Sequence, residues 1–107
     1  MIATKLDYDL RAGAQGLITG IIRFVDGSVL HFKEYIDAVN QKVSKLSYSY
    51  HYQDADNRLI FRYDNAAHRP SLSFAEHKHL HDQIIAASAP KLEDVLSEIF
   101  VLNRWIQ

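Results

Sequence analysis

The segment from Lys45 to Asp64 constrains the fold of this chain most strongly. It contains two β-rich runs, KLSYSYHYQ and RLIFRYD, separated by the polar tetrapeptide Asp54-Ala55-Asp56-Asn57, a pattern typical of a hairpin. Side chains alternate across a strand, so closing this hairpin with Gln53 opposite Arg58 separates them onto two faces. One face is apolar and aromatic, with Tyr52 opposite Leu59, Tyr50 opposite Phe61 and Tyr48 opposite Tyr63. A one-residue slip would mix the faces, so the pattern strongly specifies the pairing.

The other face of this predicted hairpin carries polar and titratable groups. It presents Ser47, Ser49 and His51 from the first strand and Arg58, Ile60, Arg62 and Asp64 from the second. A histidine beside a guanidinium and near a carboxylate suits general acid or base chemistry, with the arginine stabilising an anionic transition state. The alternative is the ordinary solvated face of an amphipathic hairpin.

A second hairpin precedes the first in the chain. The runs GLITGIIRFV and SVLHFKEYI flank Asp26-Gly27, a dipeptide favoured in two-residue type I′ turns. Pairing about that turn places Ile21 opposite Phe32 and Ile22 opposite His31. Both faces are partly apolar, which favours a central position in the sheet.

Flanking segments supply further predicted elements. Leu6, Tyr8 and Leu10 alternate with polar residues and could form an edge strand, Ile84-Ile85 could form a short strand or turn, and residues 37–44 could be a helical turn or a crossover. The end of the chain predicts a helix from Lys91 to Trp105, because apolar residues recur there at helical spacing: Leu92, Val95, Leu96, Ile99, Leu102 and Ile106.

The predicted fold is therefore α+β, a single domain spanning residues 1–107. Its antiparallel sheet has four to six strands built from two successive hairpins, and the C-terminal helix packs on one face.

Composition narrows the classes of function. The chain has no cysteine, which excludes a disulfide framework and thiolate metal sites. No signal segment or membrane span is expected, so the predicted location is the cytoplasm. The formal net charge of −1 weighs mildly against nucleic-acid binding, which usually shows a basic excess.

Histidines concentrate after the Lys45–Asp64 hairpin, at His68, His77, His79 and His81. They could bind zinc, nickel or copper, with Glu76, Asp64 or Asp82 as an oxygen ligand, or they could be an exposed loop without metal. A third alternative treats His77, Lys78 and His79 as acid, base and phosphate contact. That set suits metal-free RNA cleavage, because imidazole transfers protons near neutral pH. Tyr63 could stack on bases, although such an aromatic stripe is typical of a core.

Several motifs, in the same order, resemble the TumE family of prokaryotic toxins. They are FVDGSVLHFKE at 24–34, YSYHY at 48–52, FRYDN at 61–65 followed by His68, and HKH at 77–79. The resemblance implies the toxin of a type II toxin-antitoxin pair, neutralised by a DNA-binding antitoxin and directed at RNA. The family's polar signature falls on Tyr50, His51, Arg62, Tyr63, Asp64, Asn65, His68, His77, Lys78 and His79.

The residues and the resemblance together predict a metal-independent endoribonuclease toxin without a cofactor. The predicted catalytic residues are His51, Arg62, Asp64, His68, His77 and His79, and the predicted RNA-binding residues are Tyr50, Arg58, Tyr63, Asn65, Arg69 and Lys78. The alternative hypothesis is a non-enzymatic interaction module with a metal bound through His68, His77, His79 and His81. The sequence leaves a homodimer open.

Overall fold

The computed structural model describes residues 3–10, 15–39, 42–65 and 76–105. Within these ranges the chain forms a seven-stranded antiparallel sheet followed by one helix. Each strand pairs with the next along the chain, so the sheet is a simple meander. The elements are β1 (Ala3–Leu10), β2 (Gln15–Arg23), β3 (Val29–Val39), β4 (Lys42–Gln53), β5 (Leu59–Asp64), β6 (His77–His79), β7 (Ile84–Ala86) and α1 (Leu92–Leu102).

The prediction of four to six strands was wrong, because the described residues contain seven. The two hairpins are present as β2–β3 and β4–β5, and β1 adds the expected edge strand. The sheet also gains β6 and β7, which have three residues each. A period-two pattern cannot be recognised in three residues, so the pairing of β6 with β5 and of β7 with β6 defines these strands.

The described residues within 37–44 belong to strands rather than to the predicted helical turn or crossover. β3 continues to Val39 and β4 begins at Lys42, and the two ends pair with each other. A register shift between Tyr35 and Ile36 bends this long ribbon, as a β-bulge does.

The predicted register of the β2–β3 hairpin was wrong by one residue. Ile21 lies opposite His31 and Ile22 lies opposite Leu30. The turn contains three residues rather than two, since the amide of Phe24 donates to the Ser28 carbonyl and Gly27 has a left-handed φ of 86°, as in a turn with a glycine bulge. The extra turn residue puts His31 on the same face as Ile21.

The two faces of the β4–β5 hairpin are confirmed, although its register differs by two residues. Tyr52 pairs with Phe61, Tyr50 with Tyr63 and His51 with Arg62. One residue of the shift comes from a three-residue turn, in which the Asp54 amide donates to the Arg58 carbonyl. The other comes from a bulge beside Gln53. An even shift leaves every side chain beyond the bulge on its predicted face.

The C-terminal helix packs on the aromatic face of the sheet, as predicted. Val95 and Ile99 are fully buried among the core side chains, and the Asp94 carboxylate accepts the Lys91 amide at its start. The helix ends at Leu102, three residues before the predicted Trp105. Arg104 adopts a left-handed φ of 59°, and the Trp105 amide donates to the Phe100 carbonyl, which is the bonding of a Schellman motif.

Tyrosines of β4 and β5 fill the space between sheet and helix, and each hydroxyl has a polar partner. Tyr52 donates to Ser28 at 2.8 Å and accepts from Asn103 at 2.8 Å. Tyr50 donates to Glu34 and accepts from Lys45 at 2.6 Å. These bonds meet the requirement that buried polar groups be hydrogen-bonded. The remaining pairs are Tyr48 with Glu76 and Tyr63 with Glu98.

Candidate functional site

The open face, meaning the sheet face opposite α1, carries two adjacent cross-strand rows of polar side chains. Within each row, every residue lies directly opposite the next across a pair of neighbouring strands, and the two rows run side by side across the sheet. The first row is Lys5, Ile21, His31, His51, Arg62 and His79, and the second is Asp7, Thr19, Lys33, Ser49, Asp64 and His77.

A buried carboxylate lies at the β5 end of these rows. Asp64 is 3% exposed, and its Oδ2 accepts a hydrogen bond of 2.6 Å from Nε of Arg62. Nε2 of His77, which is fully buried, lies against the other carboxylate oxygen. His79 approaches the same carboxylate with Nε2 3.4 Å from Oδ2. We call Arg62, Asp64, His77 and His79 the Asp64 cluster.

Burying a carboxylate is costly unless charged or hydrogen-bonding partners surround it. Arg62 precedes Asp64 by two residues on β5, and the pairing of β6 with β5 brings His77 opposite Asp64 and His79 opposite Arg62. The segment carrying these histidines therefore folds back onto the polar face predicted for the β4–β5 hairpin. The cluster fixes the Arg62 guanidinium at the edge of the open face.

His51 lies on the other side of Arg62. Nη1 of Arg62 is 3.3 Å from Nδ1 of His51. A guanidinium can only donate, so Nδ1 is the acceptor and the neutral ring carries its proton on Nε2. Burial and then the positive charge of Arg62 lower the pKa of His51, and a hydrogen bond with Gln53 partly opposes them.

Two depressions in the open face meet at Arg62. The larger, of about 540 Å³, extends from β1 to β5, and its lining includes Lys5, His31 and His51. The smaller, of about 240 Å³, lies over the middle of β4 and the end of β5, beside Asp64 and Asn65. Lys33, Ser49 and Arg62 line both. An extended ligand crossing the strands would thus pass over His51 and Arg62.

Other predicted site residues lie elsewhere. Tyr50, Tyr63 and Lys78 are on the helix-covered face, where Lys78 donates to Glu98 at 2.7 Å and the Tyr63 hydroxyl donates to the same carboxylate at 2.6 Å. Burial raises the pKa of both Tyr50 and Tyr63, as do Glu34 and Glu98 respectively.

The remaining predicted residues lie at the ends of β5 or beyond it. Arg58 is exposed at the β4–β5 turn. Asn65 ties the end of β5 to β4, accepting from the Tyr48 amide and donating to the Leu46 carbonyl, both at 3.1 Å. His68 and Arg69 lie outside the described residues.

Asp64, His77 and His79 could also hold a metal ion, because their donor atoms all lie within 4.8 Å of one another. Two imidazoles and a carboxylate suit zinc or another divalent transition metal. His81 does not join this set. Its side chain is 82% exposed beside Asp82, after the end of β6.

Lys5, His31 and Lys33 were not predicted as site residues. The FVDGSVLHFKE motif contained His31 and Lys33, but the two-residue turn assumed for Asp26-Gly27 placed His31 opposite Ile22. Nothing in the sequence indicated how the predicted edge strand pairs with β2, so Lys5 was not identified. His31 lies next to His51 because β3 pairs with β4, and the predicted helical turn or crossover at residues 37–44 left the register of that pairing undefined.

The fold and the open face define a small antiparallel β protein with a helix on one face and a histidine, carboxylate and guanidinium cluster on the other. A family model described as Toxin TumE matches residues 2–106, so this chain belongs to the TumE toxin family. Membership of this family indicates the toxin of a toxin-antitoxin system, and a toxin of this kind has an antitoxin as its partner. No curated protein and no solved structure matches the chain. No helix among the described residues is long and apolar enough to cross a membrane.

Proposed function

We propose that this toxin is a metal-independent endoribonuclease that inhibits growth by cleaving RNA at the open face. The observation that carries the proposal is the direct contact between His51 and Arg62, at the point where both depressions of the open face meet. A proton-transfer group and a fixed cation are the two parts that metal-free phosphodiester cleavage requires. Membership of a toxin family supports growth inhibition as the consequence of this activity.

His51 is the general base in this proposal. A phosphate that binds Arg62 takes over guanidinium N–H groups, which frees the Nδ1 lone pair of His51. Nδ1 then accepts the proton of the RNA 2′-hydroxyl while the 2′-oxygen attacks phosphorus. The lowered pKa of His51 keeps the ring neutral at neutral pH, which is the state a base needs. Arg62 offsets the added negative charge of the phosphorane.

Asp64, His77 and His79 position Arg62 in this proposal. His77 is fully buried, so contact with RNA is not expected and its predicted acid/base role changes to a positioning role. The carboxylate that His77 and His79 hold accepts the Arg62 Nε–H at 2.6 Å. That bond leaves the terminal guanidinium nitrogens directed toward the open face and its ligand.

RNA contact is proposed for the open face rather than for the helix-covered face. Tyr50, Tyr63 and Lys78 are held there by Glu34 and Glu98, so the proposed site omits them. A DNA-binding antitoxin remains the proposed cognate partner, and its support is the family membership alone.

The test combines growth, RNA ends and chelation. Induction of the chain without antitoxin should arrest growth and generate RNA with 5′-hydroxyl and 2′,3′-cyclic phosphate ends. Purified untagged protein should cleave RNA in excess EDTA. His51→Asn should reduce cleavage by about 10²-fold or more, the usual contribution of a general base, and relieve the arrest.

His81→Asn is the matched control, because it makes the same substitution at an exposed side chain away from the depressions. Circular dichroism and thermal melting of both variants verify folding. Unchanged toxicity and unchanged RNA ends in a folded His51→Asn protein would rule out the proposed base.

A second candidate function is supported by the three donor groups of Asp64, His77 and His79 within 4.8 Å. In this alternative the protein is a non-enzymatic interaction module stabilised by a transition metal. Elemental analysis of the same untagged protein separates the two functions. A stoichiometric metal lost from a His77→Asn, His79→Asn double variant, with no RNA cleavage, would favour the module.

A further inference from the structure

His31 and His51 face each other across the β3–β4 pair. They are directly opposite in the register, and their ring centres lie 6.4 Å apart. His31 is exposed, whereas His51 is partly buried beside Arg62. Both side chains line the larger depression of the open face. Two imidazoles therefore lie side by side in one groove, with a fixed guanidinium at one end.

We propose that His31 is the general acid that works with His51, and that the groove from Lys5 to Arg62 binds single-stranded RNA. This inference rests on the proposed function and adds a second catalytic residue and a substrate class to it. The groove is the larger depression described above, whose floor is the first cross-strand row.

The chemistry balances with these two rings. Nδ1 of His51 takes the 2′-hydroxyl proton as the bond from the 2′-oxygen to phosphorus forms. The bond from phosphorus to the 5′-oxygen breaks, and the leaving oxygen takes a proton from the His31 imidazolium. The products are a 2′,3′-cyclic phosphate and a 5′-hydroxyl. No oxidant, reductant or further reactant is needed, and the ring separation leaves space for a phosphate between the two groups.

Geometry favours His31 over His79 as the second ring. His79 lies across β5 from His51 and directs Nε2 toward the Asp64 carboxylate at 3.4 Å. Its ring also packs edge to face on His77, with centres 4.8 Å apart. His79 does not line the larger depression, whereas His31 does. A leaving oxygen in that groove can therefore reach His31 without displacing the Asp64 cluster.

The groove has the size and charge of a site for an unpaired strand. Lys5, His31, His51 and Arg62 lie on β1, β3, β4 and β5, so the groove between Lys5 and Arg62 crosses four strand spacings of about 4.8 Å and is roughly 19 Å long. Lys33 adds a cation from the second row. A positively charged groove that follows the phosphate backbone is typical of proteins that bind single-stranded nucleic acid.

Charged groups around His31 come from three elements. Lys33 is its neighbour on β3, His51 lies opposite on β4, and Lys5 and Asp7 line the same depression from β1. Asp7 is the acidic side chain in that lining, and a phosphate bound in the groove would add negative charge beside His31.

The deciding experiment uses two substrates with the purified full chain. One is a single-stranded RNA oligonucleotide, whose leaving 5′-oxygen needs a proton. The other is uridine 3′-(4-nitrophenyl phosphate), whose leaving group departs without one. His31→Asn should slow RNA cleavage by about 10²-fold or more and cleavage of the activated ester by less than about 10-fold, because general acid catalysis is worth that range.

His51→Asn should slow both substrates alike, since both need the base. The decline of the RNA rate at high pH should disappear in His31→Asn, and the decline at low pH should disappear in His51→Asn. Equal losses on both substrates in His31→Asn, or an unchanged RNA rate, would overturn the role of His31 while leaving the nuclease intact. Absence of cleavage of either substrate by the unmodified chain would instead reject the proposed function.

Discussion

At the scale of single residues, the contact between Arg62 and His51 determines the protonation of the imidazole. Nη1 of Arg62 lies 3.3 Å from Nδ1 of His51 and donates to it. Burial and the positive charge of Arg62 lower the pKa of His51. Asp64 holds the guanidinium from behind. A phosphate that attracts Arg62 therefore changes the electrostatic environment of His51 as well as binding to the protein.

We expect His51 to titrate below its usual value of 6.5 in NMR spectra that follow its ring proton signals against pH. Arg62→Gln should raise that pKa, because the nearby positive charge is removed while a polar side chain of similar length remains. The control is Arg58→Gln, an exposed position at the β4–β5 turn, which should leave the His51 titration in place. An Arg62→Gln protein with the same His51 pKa would show that burial alone causes the shift.

The sign of the linked effect on stability follows from this direction. A folded-state pKa below the unfolded value means that the unfolded chain binds more protons as pH falls from about 6.5. His51 therefore contributes stability above its unfolded pKa, and this contribution is lost as pH falls through its folded pKa.

At the scale of elements, close approach between β2 and β3 depends on one glycine. Phe32 crosses over Gly20, its direct partner in the register, and a Cβ at Gly20 would overlap the Phe32 ring. Gly16 lies four residues earlier on the same strand, where an added Cβ would meet Ile36 at an ordinary 3.7 Å. The Phe32 ring in turn stacks on Tyr50, with centres 6.4 Å apart.

Gly20→Ala should lower the free energy of unfolding by about 1–3 kcal/mol, the usual cost of overpacking a core. Gly16→Ala is the matched control and should be neutral or stabilising by up to about 1 kcal/mol, because alanine loses less backbone entropy on folding. Urea unfolding followed by circular dichroism measures both. Equal effects at the two positions would show that the Phe32 ring moves aside.

At the scale of the whole molecule, the two faces of the sheet have different roles, one in core packing and the other in the proposed binding of RNA. One face packs against α1 through the tyrosine stripe, and the other carries the cationic groove. The formal net charge is only −1, so attraction to RNA depends on a few local side chains, namely Lys5, Lys33 and Arg62. The proposed binding should therefore depend only modestly on salt.

Binding of a non-cleavable 2′-O-methyl RNA, measured by fluorescence anisotropy at pH 8, should weaken with a slope of about −2 in log K against log salt. That value follows from three phosphate contacts at about −0.7 each for a single strand. Lys33→Ala should reduce the slope by about 0.7, whereas Lys42→Ala, an exposed control at the start of β4, should not. A slope steeper than about −5 would place the contact surface elsewhere.

The sequence by itself determined the two faces of the β4–β5 hairpin, the C-terminal helix and the family. Alternation in YSYHY and FRYD assigns His51, Arg62 and Asp64 to one face. This assignment holds for any register of the hairpin that differs from the predicted one by an even number of residues. Helical spacing likewise identified Val95 and Ile99 before their contacts were known. These features are local, so a pattern of a few residues contains them.

The tertiary structure decided which side chains are neighbours in the site. Pairing of β6 with β5 brings His77 and His79 to Asp64, and pairing of β3 with β4 brings His31 to His51. Both depend on strand pairing between segments that the sequence does not align, and a single added turn residue reverses every face that follows it. The hairpin from Lys45 to Asp64 supplied the centre of the site, and its neighbours in the sheet supplied the partners.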